Sequence, residues 1–189
     1  MANKSAYFGA RAVGNLLSGG YTGRVTTYTV LATYATAMWV GDFVKLTGAS
    51  ANNELGKNHS VIEKAAAGDL CVGFVAGFLP HSSYLNQIYR TSSTLRSALV
   101  YDDPYVTFEI QASGTLGTGD LQLLAEITVS SGDSVTGVSG SELDLSTKTT
   151  STGQLRILAL MPREDNDFGL YAKVICIFNE HQYKATTGV

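Results

Sequence analysis

Along most of the chain, apolar and polar residues alternate with a period of two. The runs are short and are separated by glycine, asparagine, aspartate and serine, the pattern of half-buried strands joined by turns. Strands are expected at 24–30, 38–46, 59–66, 70–78, 85–89, 95–101 and 105–112. In the clearest of them Val106, Phe108 and Ile110 alternate with Thr107, Glu109 and Gln111, so one face is buried and the other wet. Two further runs, 155–161 and 171–178, are apolar on both faces, as strands in the middle of a sandwich would be. Only 119–126 reads as a helix, with Asp120 as N-cap, and it is too short to shape the architecture. The expected fold class is all-β: a β-sandwich or jelly-roll-like barrel with at most one short helix.

Two stretches break the alternation. Residues 1–23 hold five glycines and show no period, while Tyr7, Phe8, Leu16, Leu17 and Tyr21 are scattered through them. They read as an extended N-terminal arm before a β domain at 24–189. Apolar anchors that cannot form their own core need another surface to cover them. The second stretch is 129–153, where sixteen of 25 residues are Ser, Thr or Gly; a long polar surface loop is expected there. The pairs Gly41-Asp42 and Gly68-Asp69 each precede an apolar strand and suggest two similar turns.

Composition narrows the class. With 44% hydrophobic and 15% charged residues in 189, the chain is too apolar for disorder and large enough for its own core. No run approaches the roughly 18 apolar residues of a membrane helix. A net charge of -3 lacks the footprint of a nucleic-acid binder, and Tyr89, Arg90 and Arg96 near Tyr101 read as scattered solvated charge. Neither a membrane nor direct nucleic-acid contact is expected. The charge is uneven: Lys4, Arg11 and Arg24 precede the first acid, Asp42, so residues 1–41 carry +3 and the remainder -6. No apolar core of a secretory signal follows Lys4, and the protein is expected to be made in the cytosol. Cys71 and Cys176, inside the runs LCVGF and VICIF, then read as reduced, buried thiols.

The candidates for chemistry each have a plainer reading. Asp102, Asp103 and Glu109 are close enough in sequence for paired acid and base work, but Asp-Asp-Pro between Tyr101 and Tyr105 is turn chemistry. Glu164-Asp165-Asn166-Asp167 with Gly169 resembles half a calcium loop whose closing acid is missing, so a polar hairpin is expected. His59, His81 and His181 share no metal-ligand spacing, and neither cysteine lies in a CxxC pair. The nucleophile-elbow, dinucleotide and P-loop signatures are absent. No catalytic, metal-binding or cofactor-binding residue is expected, and no cofactor.

Several strings occur together: WVGDFVKLTG at 39–48, AGDLCVGFVAGF at 67–78, LVYDDPYVTFEIQ at 99–111, QLRILALMPREDNDFG at 154–169, then AKVICIFNEHQY at 172–183. Their order, with a Ser/Gly-rich insert ending in ELDLST, resembles the head decoration, or cement, proteins of short-tailed bacteriophages over about residues 22–183. The resemblance implies a β-sandwich or jelly-roll-like domain bound in many copies to the outside of an icosahedral head. Such proteins are often dimers that bridge neighbouring major capsid subunits, so the expected partners are the major capsid protein and a second copy of the chain, with a trimer as the alternative. It implies a structural virion protein rather than an enzyme, in which Asp102, Asp103 and Asn179-Glu180-His181 shape turns and subunit contacts. The arm residues Tyr7, Phe8, Arg11, Leu16, Leu17, Tyr21 and Arg24 are the expected contacts to the capsid or a sister subunit. Two other functions compete: a carbohydrate- or receptor-binding module of a phage fibre, since jelly rolls host sugar sites, and a glycan-cleaving enzyme using the Asp102 region. Sugar sites want exposed aromatic platforms, and the single Trp, Trp39, stands in an apolar run.

Overall fold

The computed structural model describes residues 3–17, 23–83, 85–185 and 188. The first seven strands are β1 (Arg11–Asn15), β2 (Thr26–Val30), β3 (Phe43–Asn52), β4 (Asn58–Lys64), β5 (Gly73–Phe78), β6 (Arg96–Tyr101) and β7 (Val106–Gln111). They are followed by β8 (Thr115–Leu116), β9 (Leu124–Thr128), β10 (Glu142–Thr149), β11 (Leu155–Leu160), β12 (Gly169–Leu170) and β13 (Lys173–Phe178). The only helical pieces among the described residues are two 3-10 turns, Thr118–Asp120 and Gln182–Lys184. The chain is all-β, as its alternation implies.

Strands β2 to β6 close into a barrel in the order β2-β4-β3-β5-β6. Its pairs are antiparallel except β2 with β4, which run parallel. A six-stranded antiparallel sheet, β1-β7-β13-β11-β9-β10, packs against it. This sheet curls back on itself: Leu143 of β10 bridges to Ala112 just beyond β7, and the Ser113 N–H donates to the Leu143 carbonyl at 2.9 Å. The short strands β8 and β12 pair separately.

The period of two explains how one strand serves two cores. In β3, Phe43 faces the curled sheet while Val44 enters the barrel; Phe74 and Val75 of β5, and Tyr101 and Val100 of β6, divide in the same way. Strands β3, β5 and β6, which send side chains into both clusters, therefore form the wall between barrel and sheet. Phe43, Phe74, Phe108 and Phe178 meet there with ring centroids 5.1–6.3 Å apart. Each such ring contributes about 1.5–3 kcal/mol by burial, and truncation to alanine costs about 3–5 kcal/mol.

Four expectations need correction. Residues 119–126 are not a helix: after the 3-10 turn, Leu124 opens β9, whose residues pair with both β10 and β11. The stretch 129–153 is not simply a surface loop, since it contains β10, and Leu143 and Leu145 point into the core while Glu142 and Asp144 point outward. No strand forms over 85–89, where Leu85 and Ile88 are exposed and no neighbouring strand offers them a ladder. Finally, within the stretch expected to be an arm, the described residues 3–17 are part of the β domain, because β1 is the end strand of the six-stranded sheet.

Candidate functional site

The N-terminal segment is pinned before it becomes a strand. The Asn3 amide donates to the carbonyls of Asp167 and Leu170 at 2.7 and 2.9 Å and accepts from the Asp167 N–H at 2.8 Å. The Ala6 N–H donates to the Gln111 side chain at 2.8 Å, and the Lys173 ammonium, itself buried, donates to the carbonyls of Lys4 and Tyr171. The chain then crosses the barrel at two glycines. The Ala10 N–H reaches the Gly41 carbonyl at 2.9 Å, Gly9 and Gly41 have φ of +68° and +90°, and a Cβ on Gly9 would lie 2.5 Å from the Gly41 oxygen. Only glycine tolerates both demands. Beyond the crossing β1 pairs with β7, with a bulge between Ala12 and Gly14.

This route fixes where the expected contact residues stand. Phe8 is half-buried under the Arg11 guanidinium, 4.8 Å from its ring centroid, and both line a half-open groove of about 210 Å³. Ala10, Ala12, Val75, Ala76 and Tyr101 complete most of its apolar wall. Tyr7 is exposed, and at the far end of β1 Leu16 and Leu17 are 59% and 71% exposed. Arg24 is exposed elsewhere and lines a different hollow with Asp102, Asp103, Pro104 and Tyr183. Tyr21 lies outside the described residues. The structure thus gathers Phe8 and Arg11 at one end of β1, Leu16 and Leu17 at the other, and leaves Arg24 apart.

The three carboxylates do not share a site. Asp102, buried, accepts from the Tyr28 hydroxyl at 2.9 Å, and that hydroxyl lies 2.5 Å from the Tyr183 hydroxyl. Burial, then the bond with Tyr183, then the Asp102 charge push the Tyr28 phenol far above its ordinary range. Asp103 accepts from the Asn15 amide at 2.6 Å and the Tyr105 N–H at 2.8 Å, tying the turn to β1. Glu109 is buried on β7 and ion-paired with Arg163. In the acidic hairpin, Asn166 turns inward: its amide donates to the carbonyls of Met161 and Lys173 and accepts from the Lys173 N–H, each at 2.8 Å. Asn179 likewise ties a turn, donating to the Gly153 carbonyl at 2.9 Å. Among the described residues no three His, Cys, Asp or Glu side chains converge as metal ligands would. Cys71 and Cys176 are buried free thiols, both pushed up by burial.

The most enclosed polar cluster has no local signature in the sequence. Asp42 is fully buried and ion-paired with Lys64 at 2.9 Å; its carboxylate also accepts from the Ser139 hydroxyl and from the Trp39 N–H at 2.8 Å. Ser139 sits in the Ser/Gly-rich stretch and reaches Asp42 because the Val138 backbone bridges to Val40. Burial raises the Asp42 carboxyl above the ordinary carboxylate range, with Lys64 and Ser139 pulling against it. Lys64 also lies 5.1 Å from the Trp39 ring centroid, and Trp39, buried, stacks on Tyr89 at 5.8 Å. Arg90 and Arg96, expected to be solvated, are buried instead, and the Arg90 guanidinium donates to the carbonyls of Leu31, Tyr34, Thr36 and Thr94 at 2.6–2.9 Å, tying the 31–36 loop to the turn at Thr94. Both clusters fasten loops to the barrel.

The fold and its polar fastenings define an all-β protein of a barrel and a curled sheet, with its apolar exposure at the N-terminal segment and at a few loops. Comparison with protein-family models, curated proteins and solved structures finds no match to this chain.

Proposed function

We propose that this chain is a structural virion protein that binds the outer surface of an icosahedral phage head and stabilises it by bridging neighbouring major capsid subunits. In this reading it is made in the host cytoplasm, acts as a homodimer, and touches neither nucleic acid nor membrane. The observation that carries it is the N-terminal segment. It spends its backbone on a strand and its polar side chains on pins, yet leaves Tyr7, Leu16 and Leu17 uncovered. Exposed apolar side chains flanking a fixed strand suit a partner surface. Repetition over a head would multiply modest contacts into tight attachment. The strings from Trp39 to Tyr183 that resemble cement proteins support the same reading. Trp39 offers no sugar platform, since it is buried against Lys64 and Tyr89.

The test is to mix the full-length chain with empty heads assembled from the major capsid protein of the same phage and to count bound copies by imaging. Dense decoration, on the order of hundreds of copies per head as icosahedral repetition requires, supports the proposal. Absence of binding, or a handful of copies confined to one vertex, refutes it and favours a fibre or tail role.

A further inference from the structure

We infer that Lys64 and Asp42 condense: the enclosed ammonium and carboxylate lose one water and become an isopeptide bond that closes the β3–β4 hairpin covalently. The ion pair described above is the reactant. The bond lies within one copy and owes nothing to the capsid reading or to the oligomeric state.

Position and dryness set this pair apart. The Lys64 Nζ lies 2.9 Å from the Asp42 Oδ1, so the carboxyl carbon, one bond of about 1.2 Å further on, is within about 4 Å. A near-attack separation is about 3–3.5 Å. Both residues are held by the ladder, in which Lys64 pairs with Val44, two residues beyond Asp42, and the Lys64 ammonium also donates to the Ser130 carbonyl at 2.8 Å. Reactants fixed in this way reach effective concentrations of about 10⁵–10⁸ M. That advantage opposes the excess of water that keeps free amines and carboxylic acids apart in solution. The side chains of Lys64 and Asp42 are 6% and 0% exposed, so the ionised pair has lost its hydration, whereas an amide in the same place carries no charge. Lys45 with Asp69 and Lys148 with Asp120 are as close, each at 2.8 Å, but their lysines are 34% and 40% exposed and water keeps them ionised. They are controls within the same chain.

The surrounding groups supply the steps. A proton passes from the Lys64 ammonium to the Asp42 Oδ1, leaving a neutral amine and a neutral acid; burial, which raises the Asp42 carboxyl, favours that transfer. The amine lone pair then attacks the Asp42 Cγ and the Nζ–Cγ bond forms. Negative charge develops on Oδ2, which already accepts from the Trp39 N–H at 2.8 Å, the geometry of an oxyanion donor. The Ser139 hydroxyl, which donates to Oδ1, relays a proton from the new ammonium to that oxygen. The Cγ–Oδ1 bond breaks and one water leaves. Ammonium and carboxylate thus give amide and water, with no oxidant, reductant or further reactant.

The intact mass of the full-length wild-type chain, measured fully denatured, should fall below the mass of its sequence by one water. Trypsin should release a branched peptide that joins residues 25–45, which hold Asp42, to residues 58–90, because a modified Lys64 is no longer cut. Lys64→Arg and Asp42→Ala should each show the full mass, and Lys45→Arg should keep the deficit. The wild-type chain gives the decisive reading, so the outcome does not hang on whether a variant folds. A wild-type chain at full mass overturns the bond. So does a lost water that maps to one unbranched peptide, as an aspartate closing on its own backbone would give, or one that maps to Lys45 or Lys148. A Lys64→Arg chain that keeps the deficit overturns it as well. Mass is the readout because Lys64→Met removes ion pair and bond alike, and head decoration is untouched by either result.

Discussion

Replacing Lys64 with methionine should destabilise the protein by about 3–5 kcal/mol, whereas the same replacement at Lys45 should cost less than about 1 kcal/mol. The two lysines make matching bonds. Lys64 meets Asp42 at 2.9 Å and Lys45 meets Asp69 at 2.8 Å. Each aspartate closes a turn over a preceding glycine by accepting from the backbone N–H three residues earlier, Trp39 for Asp42 and Ala66 for Asp69. At such distances the bare attraction is about 6 kcal/mol for an effective dielectric of 20 in either pair. Solvent separates them. The side chains of Lys64 and Asp42 are 6% and 0% exposed, against 34% and 28% for Lys45 and Asp69. Without Lys45, water takes over the charge of Asp69. Without Lys64, Asp42 keeps the Trp39 N–H and the hydroxyls of Ser139 and Ser141, none of them charged, and must stay charged in a dry interior or take up a proton.

The second course makes the loss depend on pH. The Asp42 carboxyl is already above its unfolded value, so it contributes stability that is present below that value and lost as pH rises through the folded one. Removing Lys64 moves the folded value higher still and extends the window upward. Urea unfolding at pH 7 and pH 5 should therefore show Lys64→Met recovering part of its deficit at the lower pH, while Lys45→Met runs parallel to wild type. At pH 7 the expected fall in melting temperature for Lys64→Met is about 6–20 °C. Asp42→Asn added to Lys64→Met should restore part of the loss by removing the stranded charge. Equal costs at the two lysines, or a Lys64→Met deficit that does not change between pH 7 and 5, would refute the assignment of the difference to burial.

Burial, helped by Lys184, holds the His181 imidazole down at about 4; its ring resonances should titrate there. Up to about 3 kcal/mol of stability present above pH 6.5 should be lost as pH falls from about 6.5 to about 4. Asp103→Ala should cost about 1 kcal/mol or somewhat more by chemical denaturation, because it frees both Asn15 and the Tyr105 N–H. A glycan turned over by wild type but not by Asp102→Asn would contradict the turn assignment. Thiol reagent should react slowly with the native chain and reveal two thiols after denaturation without reductant; fewer than two would mean the cysteines are not both free. Deleting residues 2–17 should lower the melting temperature by about 6 °C or more, for a loss of about 3 kcal/mol, since β7 loses a partner and the Lys173 ammonium loses a carbonyl. An unchanged melting temperature would mean that β1 adds nothing to the fold.

The strands that were legible are those whose alternation is regular, such as β7, where Val106, Phe108 and Ile110 enter the core; the opposite face, expected to be wet, is covered as well, with Glu109 and Gln111 each 1% exposed. Others failed for separable reasons. The run LQLLAE fits a helical and an extended pattern equally well over so few residues, and the ladder to β10 and β11 decides for the strand. In β10 the alternation of Leu143 and Leu145 with Glu142 and Asp144 is present, but the surrounding Ser, Thr and Gly weigh more heavily in any window that contains them. The paired Gly-Asp turns were visible because a turn is a local event: Gly41 and Gly68 both have positive φ, +90° and +80°, and both aspartates bond back three residues. Which lysine each aspartate finds, and that Ser139 caps one of them, depends on strand pairing and has no local trace.

The N-terminal segment shows how a local reading can find the residues and misplace their role. Five residues with a bulge are too few to display a period, and Gly9, one of the glycines read as part of an arm, is there because it must pass within contact distance of Gly41. Once across, the segment is both fold and surface: Ala10 is in the core, Asn15 holds the Asp103 turn, and Leu16 and Leu17 face outward. Deleting it removes a strand, a turn anchor and the exposed leucines together, so lost binding after deletion cannot be separated from lost structure. Substituting only the leucines leaves the ladder and both pins in place. The exposed ends of β1, not the whole arm, are therefore where partner contact should be probed, and a chain with glutamate at 16 and 17 that melts like wild type isolates that contact from the fold.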